Sequence, residues 1–327
     1  MKLAIKFSLA ALALLTAGGT FVDKRANQRE TQAEVDYPPE GDFVIVNGQR
    51  VHYVMEGSGP DLVLIHGASG NTRDFTFAFV DLVKDDYRVI VFDRPGLGYS
   101  DRASDEFGGP FNRAAESPAE QAIMLQAAAQ QLGAERPIVL GHSFGGTVAL
   151  AWALERPDNI AAVINVAAPS NPWPGKLGAL YRINGTAVGG ALLPPLITAF
   201  ASQQRIEDNI ASIFEPQDAP DGYAHYVGAT LTTRRAPFRA NGRQVNSLRP
   251  HVVEMSKRYG EITIPVEIIH GNADTIVPLD IHSIPLSRQI PQANLTVLDG
   301  IGHMPHHVAP DEVIAAINRA AAASRLR

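Results

Sequence analysis

The chain contains no cysteine in its 327 residues. This removes disulfides, thiolate nucleophiles, cysteine-ligated zinc and cysteine-borne lipids, and leaves the redox compartment open. Long runs of like charge are also missing. The 28 basic and 34 acidic residues leave a formal net charge of −6, with the basic ones scattered, so no footprint for nucleic acid is present. Metal-ligand spacings are absent, and so is a dinucleotide fingerprint. The glycines of "FDRPGLGYSDR" do not open a helix in the G-x-G-x-x-G pattern. No metal or cofactor is expected, and no internal repeat appears. What remains is ordinary for a globular protein with a sizeable core: 45% hydrophobic and 19% charged residues.

The beginning of the chain is distinctive. Lys2 and Lys6 lead into "FSLAALALLTAGGTFV", residues 7–22, which carries no charge. A charged start and an apolar stretch match an export signal, with Ala17, Gly18 and Gly19 as small residues for cleavage. An uncleaved anchor and a buried helix are the alternatives. Sixteen helical residues reach only about 24 Å, less than the ~30 Å of a bilayer core. Export from the cytoplasm or membrane association, on the periplasmic or extracellular side, is the expectation. Residues 1–30 are assigned to this signal or anchor. Residues 31–41, polar and ending near Pro38-Pro39, read as a linker.

From residue 42 a regular rhythm begins. "FVIVNGQRVHYVMEG" holds two β-rich runs around Asn47-Gly48, a hairpin signal. Short apolar runs then alternate with helical patterns: "LVLIHG", "YRVIVFD", "PIVLGHS", "IAAVINVAA", "IPVEIIHG" and "NLTVLDG" read as strands. That alternation implies an α/β fold, with a mostly parallel central sheet, an N-terminal antiparallel hairpin and helices on both faces. Residues 42–168 and 251–327 form the two parts of this core. The stretch 169–250 breaks the rhythm and reads as an inserted helical lid. Within it, Trp173 and the apolar run 192–200 are expected to shape a substrate pocket.

One junction carries the chemistry. In "IVLGHSFGG" a strand ends at Gly141 and a helix starts at Phe144, leaving only a sharp corner for Ser143. Such a strained turn holds a hydroxyl out at the carboxyl end of a sheet beside a helix N-terminus, and it needs glycine where side chains would collide. A serine hydroxyl needs a base, and the base needs an orienting partner. His303 stands in a glycine-punctuated loop after the last strand. Asp274 stands in the loop after the preceding strand, with Asp299 as a minor rival and Asp280 read as a helix cap. His306 and His307 read as scaffold.

Five segments in matching order, "LVLIHGASG", "VFDRPGLGYSDR", "GHSFGG", "GNADTIVP" and "GIGHMPHH", resemble those of the α/β-hydrolase superfamily. The resemblance runs from about residue 42 to the C-terminus, with 169–250 at the place of the family's cap. It implies the α/β-hydrolase fold and a Ser143–His303–Asp274 triad. It also implies an oxyanion hole made by the N–H groups of Ala68 and Phe144, with Ser69 as a candidate extra donor or pocket residue. Families of this fold that use aspartate as nucleophile, haloalkane dehalogenases and epoxide hydrolases, are disfavoured by Ser143. The expected activity is hydrolysis of a carboxylic ester or related acyl bond in a small-molecule substrate. A C–C bond hydrolase of aromatic degradation is the alternative, and a non-catalytic ligand-binding protein is the alternative of another class.

Overall fold

The structure, a computed structural model, describes residues 2–326, with side chains from residue 16 onward. It is built around an eight-stranded sheet in the order β1-β2-β4-β3-β5-β6-β7-β8. The strands are β1 (Asp42–Val46), β2 (Gln49–Glu56), β3 (Asp61–Ile65), β4 (Arg88–Phe92), β5 (Ile138–His142), β6 (Ala162–Val166), β7 (Val266–Gly271) and β8 (Ala293–Leu298). The first two pair antiparallel across Asn47 and Gly48, both at positive φ, as a tight hairpin turn demands. β2 joins β4 antiparallel, and every later pairing is parallel.

The central strands are buried on both faces, so their side chains divide by alternation. Val63, Ile65, Ile90, Phe92 and Val139 join one core, packed by the helices α4 (Pro118–Gln131) and α5 (Phe144–Glu155) as numbered below. Leu62, Leu64, Val89, Val91, Ile138 and Leu140 join the other. In chain order the remaining helices are α1 (Lys2–Asp36), α2 (Arg73–Thr76), α3 (Phe79–Val83), then α6 (Ala179–Asn184), α7 (Ala187–Phe200), α8 (Gln203–Ser212), α9 (Tyr223–Tyr226) and α10 (Arg235–Met255). α11 (Ser283–Gln289), α12 (Pro305–Val308) and α13 (Pro310–Ala323) follow. The helices α6 to α10 all lie between β6 and β7, over the stretch 169–250 expected as an insertion, with α10 running on to Met255.

The strand order reverses beside β3, which lies between β4 and β5. Loops leaving the carboxyl ends of β3 and β5 therefore meet at a topological switch point, where open α/β sheets bind ligands.

Two expectations need correction. Residues 31–36 of the stretch read as a linker are helical, continuous with the polar part of the preceding segment as the second half of α1. Its sequence has no apolar period, but polar contacts hold it to the insertion. Arg235 pairs with Asp23 (2.5 Å) and Glu30 (2.6 Å), and Arg234 pairs with Glu34 (2.7 Å). Arg25 Nε donates to Ala199 O and Arg29 Nη1 to Ala201 O, each at 2.7 Å, satisfying carbonyls at the C-terminal end of α7. Residues 7–15 of the proposed export segment lie outside the described side chains. Among the described residues no helix is long and apolar enough to cross a membrane. Second, the apolar run 192–200 is not buried as a whole: Leu192, Leu196 and Phe200 are exposed on one side of α7, while Pro194, Thr198 and Ala199 face inward.

Candidate active site

The corner at Ser143 is as sharp as its sequence requires. Ser143 has φ 51° and ψ −123° and is the N-cap of α5. A Cβ on Gly141 would lie 2.1 Å from Gly145 O, and one on Gly145 would lie 2.1 Å from Ile65 O. A Cβ on Gly146 would lie 2.4 Å from that of Ala168. Glycine is thus imposed by backbone approaching backbone, the close contact that a strand-to-helix turn without a loop creates. From Pro137 to Leu154, Ser143 alone is not buried. Its hydroxyl makes no hydrogen bond among the described residues, and its N–H donates to Val166 O at 2.9 Å.

Asp274 and His303 meet beyond β6, in the loops after β7 and β8. His303 Nδ1 lies 2.7 Å from Asp274 Oδ2. Asp274 Oδ1 accepts the N–H groups of Ile276 (2.8 Å) and Val277 (2.9 Å), which fixes the carboxylate from behind. Burial alone raises the Asp274 pKa, but hydrogen bonds from His270 and His303 and the His303 charge outweigh it, and the carboxyl is held well below its usual range. Asp299 is exposed and accepts from Asn272 Nδ2 (2.8 Å), which removes it as a rival. Asp280 sits in a turn before α11, whose N-cap is His282, so the capping role expected for it is not observed.

Three residues of this centre escaped the sequence reading. His270 Nε2 faces two acceptors, Asp274 Oδ2 (3.1 Å) and Val277 O (2.7 Å), and so carries the proton, while Ser283 Oγ meets Nδ1 at 2.6 Å. His142 Nε2 donates to His303 O at 2.8 Å, tying the loop of His303 to the strand that leads into Ser143. Asn241, on α10 of the insertion, grips the loop after β3 with both ends of its amide. Ser69 N–H donates to Asn241 Oδ1 (2.8 Å), and Asn241 Nδ2 donates to Ser69 Oγ (2.7 Å).

That grip fixes the loop after β3. Ser69 holds φ 56°, so its neighbour Ala68 is placed by a strained residue. Ser69 gives its N–H to Asn241 and accepts at Oγ, which leaves the hydroxyl proton available as the candidate extra donor. The N–H groups of Ala68 and Phe144 have no hydrogen-bond acceptor among the described residues. Gly67 passes so near the corner that a Cβ there would lie 3.1 Å from Ser143 Cβ. Behind the loop, His66 Nδ1–H donates to Gly67 O (2.9 Å) and Nε2 accepts from Arg94 N–H (3.0 Å). Burial, aided by the Arg94 charge, pushes His66 down to about 4, which keeps it neutral.

Asp93 accepts from Thr72 N–H (2.7 Å) and Tyr99 N–H (2.8 Å) and meets His52 Nδ1 (2.7 Å). Arg94 lies over the Phe144 ring at 4.0 Å and donates to Gln244 Oε1 of the insertion (3.2 Å). His306 and His307 both reach Asp74 Oδ1, at 3.2 and 2.9 Å, which Tyr223 OH meets at 2.7 Å. Among the described residues these three side chains lie close enough to hold a metal ion, but their ligand atoms are already paired with one another. Trp173 sets its ring 6.0 Å from that of His282, and its carbonyl accepts from Arg249 Nε of α10 (2.9 Å).

A family model described as the alpha/beta hydrolase fold matches residues 60–310. The chain belongs to this family. Among its relatives, this hydrolase-fold chain is 33% identical to the magnesium-chelatase 30 kDa subunit of Rhodobacter capsulatus, over 77% of its own length and 84% of that protein. It is 28% identical to a 2-hydroxymuconate semialdehyde hydrolase of Pseudomonas putida, over 81% and 88%. The solved structure of an esterase from Rhodococcus sp. ECU1013 is similar in fold, with a TM-score of 0.65 at 23% identity, covering 88% of this chain and 99% of that one.

Proposed function

We propose that the chain is a serine hydrolase that cleaves a carboxylic ester through an acyl-enzyme. The observation that carries the reading is the His303–Asp274 pair. A carboxylate held by two backbone N–H groups fixes the imidazole through Nδ1, leaving Nε2 for a substrate-side proton. Ser143 Oγ attacks the ester carbonyl as His303 Nε2 takes its proton. The oxyanion that forms is met by the N–H groups of Ala68 and Phe144, the latter at the positive end of α5. His303 returns the proton to the leaving alcohol. A water then repeats the sequence on the acyl group and frees the acid and Ser143.

The insertion, which reaches this centre through Asn241, serves as the lid, and Trp173 is its candidate pocket residue. A panel of p-nitrophenyl esters of graded chain length tests the reading, with an active-site phosphonate as a label. Turnover lost and labelling abolished in Ser143→Ala support it. Failure of the parent chain both to turn over any ester and to take the label counts against any serine hydrolase. The relative named 2-hydroxymuconate semialdehyde hydrolase favours a second reading, C–C hydrolysis beside a ketone by the same residues. A vinylogous diketone cleaved faster than every ester would select it.

A further inference from the structure

The outer side of the insertion carries a surface that the reaction does not use. Val188, Leu192, Leu196 and Phe200 recur every fourth residue on α7, so they follow one another along one side of the helix. All are exposed, from 46% at Leu196 to 62% at Val188. Leu180 and Ile183 extend the surface onto α6. Contiguous exposed apolar patches of this kind mark interaction sites.

Three observations identify the occupant. First, α1 packs along α7, and Phe21 of α1 meets Phe200 at 6.4 Å between ring centroids while staying 59% exposed. Toward the chain start, the same helix carries the uncharged run 7–22. The docked segment from Asp23 to Asp36 therefore holds this apolar run in a fixed relation to the α7 stripe. Second, acid is absent from the region: between Asp158 and Glu207 the chain has no Asp or Glu. Lys176, Arg182 and Arg205 lie in that interval, all exposed. That interval sets large aliphatic and aromatic groups among lysine and arginine, and the neighbouring Asp23 of α1 is paired with Arg235; such a surface complements anionic lipid headgroups. Third, an apolar run spanning about 24 Å is short for a bilayer core of ~30 Å. Such a helix holds a membrane more firmly when a second apolar element enters the interface beside it.

We propose that α6, α7 and the start of α1 form one face that seats on an anionic bilayer, the stripe of α7 entering the acyl–headgroup boundary and the insertion lying against the membrane. The proposal is independent of the bond that the enzyme cleaves.

The absence of cysteine makes the test clean. Leu192→Cys, Leu196→Cys and, on the edge strand β8, the exposed Val297→Cys are each labelled in the full chain with an environment-sensitive fluorophore. They are mixed with vesicles of phosphatidylcholine and phosphatidylglycerol, 3:1, with and without spin-labelled lipid. The expected result is a blue shift and at least about twofold quenching at 192 and 196, none at 297, and about tenfold weaker flotation of Lys176→Glu/Arg182→Glu. Turnover of a soluble ester, unchanged in all of these variants, keeps this test separate from that of the reaction. The proposal is overturned if the chain does not float with the vesicles, or if it floats while 192 and 196 stay solvent-like. It is also overturned if those labels become buried without vesicles as protein concentration rises, which would assign the face to a second copy of the chain.

Discussion

Replacing Asn241 by alanine should slow the chemistry without touching any group that reacts. Its amide makes two hydrogen bonds to Ser69, each contributing about 0.5–1.5 kcal/mol net, so the tether is worth roughly 1–3 kcal/mol. Opposing it is the left-handed backbone of Ser69 at φ 56°, which costs a non-glycine residue on the order of 1–3 kcal/mol. The two nearly cancel, so removal of the tether lets the loop relax. A net preference of about 1.4 kcal/mol for the relaxed form leaves roughly one molecule in ten with Ala68 N–H in place. If the relaxed form loses one oxyanion donor, it reacts about 10²- to 10³-fold more slowly. kcat should therefore fall about tenfold, with KM changed by less than about threefold, since the donor acts on charge that develops only in the transition state. Adding Ser69→Gly should restore much of the loss, because glycine adopts positive φ without penalty. The assay is steady-state hydrolysis of a short p-nitrophenyl ester by variants whose melting temperature is near that of the parent. A folded Asn241→Ala enzyme with parental kcat, or one whose defect Ser69→Gly leaves untouched, would refute the coupling.

Asp274→Asn should cost up to about 10⁴-fold in kcat by favouring the wrong imidazole tautomer, whereas Asp299→Asn, a partner of Asn272, should stay within about twofold; the reverse ranking in the same ester assay would displace Asp274. Gly145→Ala should destabilise by about 3 kcal/mol, because its Cβ would lie 2.1 Å from Ile65 O; a melting temperature within a degree of the parent's would show that the corner has more room than it does here. Acid should weaken the fold before the carboxylates titrate. Burial, with the Arg94 charge at His66, the His270 charge at His282 and the His307 charge at His306, pushes all three down to about 4. Their unfolded forms take up protons below about 6.5. The unfolded state then binds more protons, and stability drops by up to ~1.4 kcal/mol per pH unit per group between pH 6.5 and 4. A melting temperature flat from pH 7 to 5 would contradict this.

What the sequence disclosed and what it hid divide by distance along the chain. The strands, the hairpin at Asn47-Gly48 and the glycines around Ser143 were legible because each is dictated by neighbours a few residues away. Asn241 grips a residue 172 positions distant, and His142 holds a carbonyl 161 positions distant. No local pattern announces either. His270 was within reach: it stands four residues before Asp274 at a strand end. The exposed side of the run 192–200 was hidden for another reason. Apolarity says that a helix side seeks a nonaqueous partner, not whether that partner is the protein's interior. In α1 the error was the opposite. Its polar second half lacks the apolar stripe by which helices are recognised, and its order comes from Arg234 and Arg235, far along the chain.

The ion pairs that hold α1 also set a schedule. Glu34, Glu30 and Asp23 wait for partners 200, 205 and 212 positions downstream. At a synthesis rate of about 5–20 residues per second, those arginines emerge some 10–40 s after the helix they secure. Throughout that interval the apolar start of the chain has left the ribosome with nothing of its own protein to dock against. Only afterwards do Arg234 and Arg235 reach the helix, so the ion pairs that order its polar half are among the later contacts the chain can make.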